Sequence, residues 1–194
     1  MRKGVWKMST EKEKMIQGEM YDPSEELLMK ERSDARDVIH QFNQSASREE
    51  RTALLKSLFG RTGNTVHVEP TLRVDYGYNI HVGENFFANF NTVILDVCPV
   101  RIGDNAMLGN GVSIVTPEHP LDAKGRNSGY EFGRPITIGD NCWIGTGATI
   151  VGGVTLGNNV VVAAGAVVTK SFPDNVLLAG VPARVVKEID QNPE

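Results

Sequence analysis

One stretch of the chain combines a loop-like composition with a side chain suited to proton transfer. Residues 116–135 are rich in proline, glycine, asparagine, serine and charged residues, and they contain the run Thr-Pro-Glu-His-Pro that ends at Pro120. The proline restricts the backbone of His119, whose imidazole can accept a proton near neutral pH. In the same stretch, Glu131 could orient the imidazole, as the third member of a catalytic triad does. An ordinary surface histidine and a solvated carboxylate are the structural alternatives.

The remaining histidines and the two cysteines fit structural roles better. His40 lies in a segment of helical character, while His67 and His81 lie at the start of the repeat region described below. Cys98 and Cys142 are too few for a disulfide scaffold, so we expect two thiols buried in the core of a reduced, cytoplasmic protein.

Composition and charge exclude several classes of function. The 194 residues include 20 Lys+Arg and 24 Asp+Glu, and the formal net charge of -4 argues against non-specific binding of nucleic acid. The chain lacks a run of about eighteen apolar residues, so we expect no membrane span. Its charged amino-terminal residues lack the apolar region of a secretory signal. The length suits one compact domain with a small appendage.

A six-residue period of aliphatic side chains predicts the elements that position His119. The period is strict over residues 138–168. Upstream, aliphatic residues keep the same spacing over 82–94 and again over 102–114, with two extra residues between these two stretches. A smaller or branched residue follows four positions after most of these aliphatic residues. Neither an α-helix nor a simple alternating strand has this period, whereas a coil of three short strands does. We therefore predict stacked triangular coils with glycine and asparagine at the corners.

Residues 1–60 have a different composition and are predicted to be helical. Charged residues occupy 22 of these 60 positions, and only 3 of the 20 glycines lie there. One helix is expected to open at Pro23 and Ser24. A second is expected to open at the capping box Ser47-Arg48-Glu49-Glu50, and Gly60 is placed to end that helix. We interpret these helices as a cap that covers one end of the coil rather than as a catalytic unit. Residues before Met8 are assigned to no element.

Several segments of the chain resemble a known family. ITIGDNCWIGTGATI (136–150) and GAVVTKSFPDNVLLAGVPARVV (165–186) resemble the hexapeptide-repeat acyltransferases, whose fold is a left-handed parallel β-helix. The resemblance narrows to the maltose, galactoside and nodulation sugar O-acetyltransferase branch in MIQGEMYDPSEELLMKER, DYGYNIHVGENFFANFNTVILDVCPVRIG and TPEHPLDAKGRNSGYEFGRPITIG. It is closer to the maltose members in DYGYNI and LDVCPVRIG. The similarity covers residues 12–190.

The resemblance implies a mainly β protein with a defined organisation. A helical segment over 1–60 would pack on a left-handed β-helix over 61–187, which is interrupted by the inserted loop 116–135 and followed by a tail over 188–194. Family members are homotrimers with each acetyl-CoA site between two neighbouring coils, so the resemblance also implies a homotrimer.

The implied reaction is acetyl transfer from acetyl-CoA to a sugar hydroxyl. His119 matches the catalytic base of the family, which takes the hydroxyl proton and later protonates the departing sulfur. Asn89 matches the asparagine that contacts the acceptor and helps to stabilise the oxyanion, although a corner position is its structural alternative. Direct transfer needs no serine or cysteine nucleophile and no metal.

The resemblance also implies two sets of binding residues. Acceptor contacts are expected at or beside Asp75, Asn89 and Asp96, with Asp22 near a further contact. Galactoside members have serine at position 75 and an aspartate at position 97, so these departures favour glucose or maltose. Acetyl-CoA is expected to contact residues of the last coils, with the cations toward its phosphates: Trp143, Thr146, Ala164, Thr169, Lys170, Arg184 and Lys187. Filling a corner is the structural alternative for Trp143.

Other functions remain open at this point. The acceptor could be a galactoside, a chitooligosaccharide, an amino sugar or a small non-sugar alcohol. A γ-class carbonic anhydrase shares the coil but needs three zinc-binding histidines, and His119 is followed five positions later by Lys124 rather than by a second histidine. A non-catalytic coil would lack both the loop histidine and the donor-binding tail.

Overall fold

A computed structural model of the chain describes residues 9–190, which form a coil of short parallel strands with helices packed at one end. The coil has three flat faces, here called face 1, face 2 and face 3 in the order in which the chain passes through them. Residues before Met8 and most of the predicted tail 188–194 lie outside the described part.

The strands of each face hydrogen-bond to the strands directly above and below them. Face 1 contains β1 Val66–Val68, β4 Phe86–Ala88, β7 Met107–Leu108, β12 Trp143–Ile144, β15 Val161–Val162, β17 Val176–Ala179 and the antiparallel β18 Arg184–Glu188. Face 2 contains β2 Leu72–Val74, β5 Thr92–Leu95, β8 Ser113–Val115, β13 Thr149–Val151 and β16 Val167–Val168. Face 3 contains β3 Ile80–Val82, β6 Val100–Ile102, β11 Ile136–Ile138 and β14 Thr155–Leu156.

The spacing of stacked residues confirms the predicted six-residue period. Asp140 and Asn158, at equivalent places of successive coils, are 18 residues apart, which is three faces of six residues. Asn85 and Asn105 are 20 residues apart, and this matches the slip of two residues. Asn105 and Asn141 stack in neighbouring coils although they are 36 residues apart, which is twice the length of one coil. The extra residues belong to the inserted loop, which leaves the coil and returns to it. The aliphatic residues of the register are buried inside the coil.

Asparagines support the corner between faces 3 and 1, as the sequence predicts. Asn105, Asn141 and Asn159 adopt left-handed φ angles of 55°, 58° and 54°. Their side chains also stack, since the Asn105 amide donates to Asn141 at 3.0 Å and the Asn159 amide donates to Asn175 at 2.9 Å. An asparagine at this corner therefore satisfies the backbone conformation and links two coils.

The helical segment comprises α1 Glu11–Gln17, α2 Glu26–Gln44 and α3 Arg48–Leu58. Helices α2 and α3 pack on β2 and β1 and cover the first coil, whereas α1 packs on the inserted loop. Helix α1 was not predicted, although a capping box between Thr10 and Glu13 marks its start. Helix α2 starts later than predicted, because the Ser24 backbone and hydroxyl bond to the side chain of Asp22 in a turn.

The predicted capping of α3 is correct only at its start. The Ser47 hydroxyl accepts a hydrogen bond from the backbone N–H of Glu50, as expected, but the Glu50 carboxylate accepts from Ser45 instead of closing the box. Gly60 does not end the helix with a left-handed turn. A Cβ at position 60 would lie 2.1 Å from the carbonyl oxygen of Tyr78 and 2.8 Å from the His81 ring, so close approach explains this glycine.

Both cysteines are buried, but in different places. Cys142 lies inside the coil as predicted. Cys98 instead lies outside the coil interior, against α1, where its thiol donates to the carbonyl oxygen of Met15 at 3.1 Å. Burial raises the pKa of the Cys98 thiol to about 11, so the group is an unreactive thiol at neutral pH.

Candidate active site

A polar cleft opens where the chain turns from face 2 to face 3, here called the second corner. It has a volume of about 330 Å³ and is lined by the loop, the corner and the helical segment together: Pro23, Arg32, Arg36, Asp75, Leu95, Val97, Pro117, His119 and Glu131. The cleft thus contains three of the predicted site residues, His119, Glu131 and Asp75.

The inserted loop is fixed to the coil at both ends. Within it, β9 Pro117–Glu118 and β10 Phe132–Gly133 form a short antiparallel pair, and α4 Ala123–Arg126 forms the tip. The buried Thr116 hydroxyl donates to the carbonyl oxygen of Leu95 at 2.8 Å, and the Arg134 N–H donates to the Thr116 carbonyl at 3.0 Å. His119 follows β9 directly, so its backbone is held while its imidazole stays 52% exposed at the cleft.

Glu131 faces His119 across the loop. Its Oε2 lies 3.7 Å from Nε2 of His119, which is within ion-pair range but longer than a hydrogen bond. The Glu131 side chain is only 16% exposed, and its other oxygen accepts a hydrogen bond from the phenol of Tyr21. The carboxylate is therefore not a solvated surface group, and its position is compatible with orienting the imidazole.

Two carboxylates, of Asp75 and Glu131, and two guanidiniums, of Arg32 and Arg36, line the cleft. Burial, and then the neighbouring Glu131, raise the pKa of Asp75, while Arg32 and Arg36 of α2 act in the opposite direction. Arg32 is itself held by hydrogen bonds to the Tyr76 hydroxyl at 2.6 Å and to the carbonyl oxygen of Pro23 at 2.7 Å. The cleft therefore presents both acceptors and donors of hydrogen bonds, which suits a ligand with several hydroxyl groups.

The structure places Asp96 beneath the cleft rather than in it. Its side chain is fully buried, and Oδ1 accepts hydrogen bonds from the backbone N–H groups of Asp75 at 3.0 Å and Tyr76 at 2.9 Å. Burial raises the pKa of Asp96 to about 7. The predicted acceptor contact is thus corrected to a supporting role, because the Asp96 side chain is completely buried beneath the backbone of Asp75 and Tyr76.

Asp22 lies between Tyr21 and Pro23, with its side chain turned back onto Ser24 and its N–H donating to Glu11 at 2.6 Å. Hydrogen bonds from Ser24 lower the pKa of Asp22. Because these bonds hold the carboxylate in a turn, Asp22 is next to the cleft but does not line it.

Asn89 and part of the predicted donor set lie at a different corner. The first corner, between faces 1 and 2, consists of residues 89–91, 109–111, 145–147 and 163–165, and it includes Asn89, Thr146 and Ala164. There the Asn89 side-chain oxygen accepts the N–H of Phe90 at 2.7 Å. One strand of face 2 separates this corner from the second, which corresponds to roughly 10–13 Å. Within one chain, Asn89 does not line the cleft that contains His119.

The other predicted donor residues are also divided. Trp143 is 53% exposed on the outer side of face 1, and Arg184 and Lys187 lie on β18 at the end of that face. Thr169 and Lys170 instead follow β16 at the second corner, on the side of His119. Within one chain the donor residues therefore form two groups on either side of face 2.

The other three histidines keep their structural interpretation. His67 stacks on Phe87 with ring centres 5.6 Å apart, and its Nε2 lies 2.7 Å from Glu69. Burial, with nearby arginines, lowers the pKa of His81, and His40 is exposed on α2.

Three residues of the site were not predicted, and all of them lie in the segment interpreted as a cap: Tyr21, Arg32 and Arg36. Arg32 and Arg36 are four positions apart, so they share one side of α2, and this spacing was the available signal. No local pattern shows which surface that side faces. The cap interpretation was therefore incomplete, because the helical segment also builds one wall of the cleft.

Within residues 9–190, no group of three or more His, Cys, Asp or Glu side chains is arranged to hold a metal ion. None of the helices in this part of the chain has the length and apolar character needed to cross a membrane.

Comparison with known proteins gives consistent matches over nearly the whole chain. The family model "maltose acetyltransferase hexapeptide capping motif" matches residues 14–63, and "hexapeptide repeat of succinyl-transferase" matches 91–115 and 135–170. A galactoside O-acetyltransferase of Escherichia coli is 41% identical over 180 residues, which is 92% of this chain and 89% of that protein.

Solved structures match equally well. A maltose O-acetyltransferase from Clostridium difficile has a TM-score of 0.94 and 50% identity, covering 95% of this chain and 100% of that chain. A hexapeptide-repeat acetyltransferase from Vibrio cholerae, solved with acetyl coenzyme A, has a TM-score of 0.89 and 36% identity, covering 94% and 100%.

Proposed function

Because the chain belongs to the hexapeptide-repeat acetyltransferase family that includes the maltose and galactoside O-acetyltransferases, we propose that it transfers acetyl from acetyl-CoA to a hydroxyl of maltose or glucose. The observation that carries this proposal is the placement of His119 in the polar cleft, 3.7 Å from Glu131. The acetyl-CoA complex of the Vibrio cholerae relative supports acetyl-CoA as the co-substrate.

The proposed reaction is a direct transfer with His119 as the general base. The imidazole takes the proton of the acceptor hydroxyl while the hydroxyl oxygen attacks the thioester carbonyl carbon. Asn89 donates a hydrogen bond to the oxyanion of the tetrahedral intermediate. The carbon–sulfur bond then breaks, and the imidazolium returns its proton to the sulfur. The products are the acetyl ester and free CoA, and general-base assistance contributes about 100- to 10,000-fold to the rate.

The cleft residues support a sugar as the acceptor. Asp75 and Glu131 can accept hydrogen bonds from neighbouring hydroxyls, and Arg32 and Arg36 can donate them. Aspartate rather than serine at position 75 favours maltose or glucose over a galactoside, and the 50% identity to a maltose O-acetyltransferase points the same way.

A homotrimer would complete the site. The outer side of face 1 bears a stripe of apolar side chains stacked in register, which we call the face 1 stripe: Phe87, Met107, Trp143, Val161 and Leu177. The outer side of face 3 is polar in comparison, with Arg101, Thr137 and Thr155. If face 1 of one copy packs against the second corner of the next, a closed ring of three copies would bring Asn89 to His119.

Two further features are consistent with acetyl-CoA binding and with a cytoplasmic location. The cations Lys170, Arg184 and Lys187 suit the phosphates of CoA once the two groups of donor residues meet between copies. The two buried free thiols, Cys98 and Cys142, suit the reducing cytoplasm.

The proposal is tested by following thiol release from acetyl-CoA with glucose, maltose, a galactoside and an amino sugar as acceptors. We expect His119→Ala to lower kcat at least about 100-fold with maltose or glucose while the Kd for acetyl-CoA stays unchanged. His81→Ala, at the middle position of β3 on face 3 and away from the cleft, is the matched control and should retain full activity. Near-normal turnover by His119→Ala would disprove the mechanism, and activity confined to another acceptor would correct the substrate.

A further inference from the structure

Tyr21 connects the helical segment to the inserted loop at the point where Glu131 faces His119. Its backbone pairs with that of Glu131 in both directions, with N–H to carbonyl distances of 3.0 and 3.2 Å. Its phenol also donates to Oε1 of Glu131, although 110 residues separate the two positions. Tyr21 is thus attached to Glu131 by both main chain and side chain.

The two oxygens of the Glu131 carboxylate have different partners. Oε1 accepts from Tyr21, and Oε2 is the atom 3.7 Å from Nε2 of His119. A carboxylate fixed at one oxygen presents the other in a defined direction, so the phenol determines how the charge faces the imidazole.

The phenol hydroxyl is not required for packing. The ring is fully buried in a small apolar cluster with Met15, Leu28 and Val97, which a phenylalanine would fill equally well. Burial and the Glu131 carboxylate raise the pKa of Tyr21, so the hydroxyl remains protonated and can donate at neutral pH.

Other charges of the cleft compete for the Glu131 carboxylate. Arg32 and Arg36 on α2 attract it, and Asp75 at the second corner repels it. Arg32 is occupied by its bonds to Tyr76 and Pro23, whereas Arg36 is exposed. A carboxylate released from the phenol would therefore be drawn toward α2 and away from His119.

We propose that Tyr21 is a positioning residue that holds the Glu131 carboxylate against the imidazole of His119. This inference rests on the proposed function for its catalytic consequence, but the geometry itself can be tested without turnover.

The test compares Tyr21→Phe with Tyr78→Phe in the full chain. Tyr78 is the matched control, because its phenol, like that of Tyr21, donates to a glutamate. Its partner is Glu31 of α2, at 2.8 Å, and neither residue lines the cleft. We expect Tyr21→Phe to lower kcat about tenfold with little change in the KM for acetyl-CoA, since one hydrogen bond to a charged group is lost. Tyr78→Phe should leave kcat unchanged.

A double-mutant cycle tests whether Tyr21 acts through Glu131. We expect Tyr21→Phe to have no further effect on kcat in a Glu131→Gln background, because the charge it positions is already gone. Multiplicative losses, or equal losses for Tyr21→Phe and Tyr78→Phe, would overturn the proposal.

NMR signals of the His119 imidazole, recorded at a single pH without substrate, separate this inference from the reaction. Their chemical shifts should change in Glu131→Gln and, by a smaller amount, in Tyr21→Phe, since both variants alter the carboxylate charge that faces the ring. They should stay in place in Tyr78→Phe. If the wild-type protein lacks transferase activity but the variants still show these changes, only the proposed function is refuted. Unmoved His119 signals in Tyr21→Phe would refute the positioning role.

Discussion

At the scale of single residues, Asp75 and Asp96 show how one residue type takes two roles at the same corner. Asp75 follows β2 and lines the cleft, and Asp96 follows β5 one coil further on. Oδ1 of Asp96 caps the two backbone N–H groups that begin the turn after β2, while its Oδ2 is buried without a hydrogen-bond partner. Asp96 thus supports the backbone on which Asp75 stands, at the cost of a buried carboxylate.

Asp96 should make stability depend on pH. Its pKa of about 7 in the folded chain exceeds the value of about 3.9 for an unfolded aspartate, so the folded state binds a proton that the unfolded state releases. Stability should therefore fall as pH rises from about 4 to 7. Asp96→Asn keeps the accepting oxygen but cannot ionise, so the unfolding free energy of this variant relative to wild type should be greater at pH 8 than at pH 4.5 by on the order of 3 kcal/mol.

Urea unfolding of both proteins at the two pH values measures this difference. Asp96→Ala is the control, because it removes both accepted hydrogen bonds and should be destabilised at either pH. An identical pH dependence in wild type and Asp96→Asn would show that another group is responsible.

At the scale of elements, the strands of the coil are too short to be stable alone, and the corners determine their register. Each face contributes a parallel strand of two to four residues per coil, so side chains stacked at the corners add contacts that the short strands lack. Backbone N–H groups there donate to the next coil's side chains, for example Asp104 to Asp140 at 2.8 Å and Asp140 to Asn158 at 2.9 Å. Polar residues at the corners therefore take part in stacking the coils.

Variants of Asn141 can separate the two contributions of a corner asparagine, namely its left-handed backbone and its side-chain hydrogen bond to the next coil. Asn141 has a φ angle of 58°, and its side-chain oxygen accepts from Asn105 at 3.0 Å. Asn141→Gly loses the hydrogen bond but keeps the left-handed backbone available, whereas Asn141→Ala loses both. We expect Asn141→Ala to be less stable than Asn141→Gly by about 1 kcal/mol, as measured by thermal unfolding. Equal stability of the two variants would show that the backbone conformation is not limiting.

At the scale of the whole molecule, faces 1 and 3 differ in what they present outward. The face 1 stripe includes Met107 and Trp143, which are 50% and 53% exposed in the single chain. Exposed apolar side chains stacked in register along one surface are typical of a subunit interface. The division of the site residues between the first and second corners requires such an interface if they are to act together.

Met107→Lys should disrupt this assembly, because it places a charge in the middle of the face 1 stripe. We expect light scattering after size-exclusion chromatography to show a monomer or dimer in place of the proposed trimer, with loss of the proposed acetyl transfer. Thr155→Lys, an exposed outward position on face 3, should change neither property. A monomeric, fully active wild-type protein would refute the shared site.

Most of the fold follows from local patterns. The six-residue period specifies three faces, because each inward side chain must stack on its equivalent in the next coil, and this requirement repeats along the chain. Asparagine marked one corner and Ser47 the start of α3 for equally local reasons, namely a left-handed backbone and an unpaired N–H group. His119 was predicted from the loop that interrupts the period together with the match to the catalytic base of the resembled family, and the structure places it in the cleft.

The composition of the cleft depended on contacts between distant parts of the chain. Tyr21 and Glu131 are 110 residues apart, and nothing near either position indicates the other. Asp75 and Asp96 are chemically identical and both follow strands of face 2, yet only packing leaves one in the cleft and buries the other. A sequence pattern reports the neighbours along the chain, whereas the direction and burial of a corner side chain are set by the elements that fold against it.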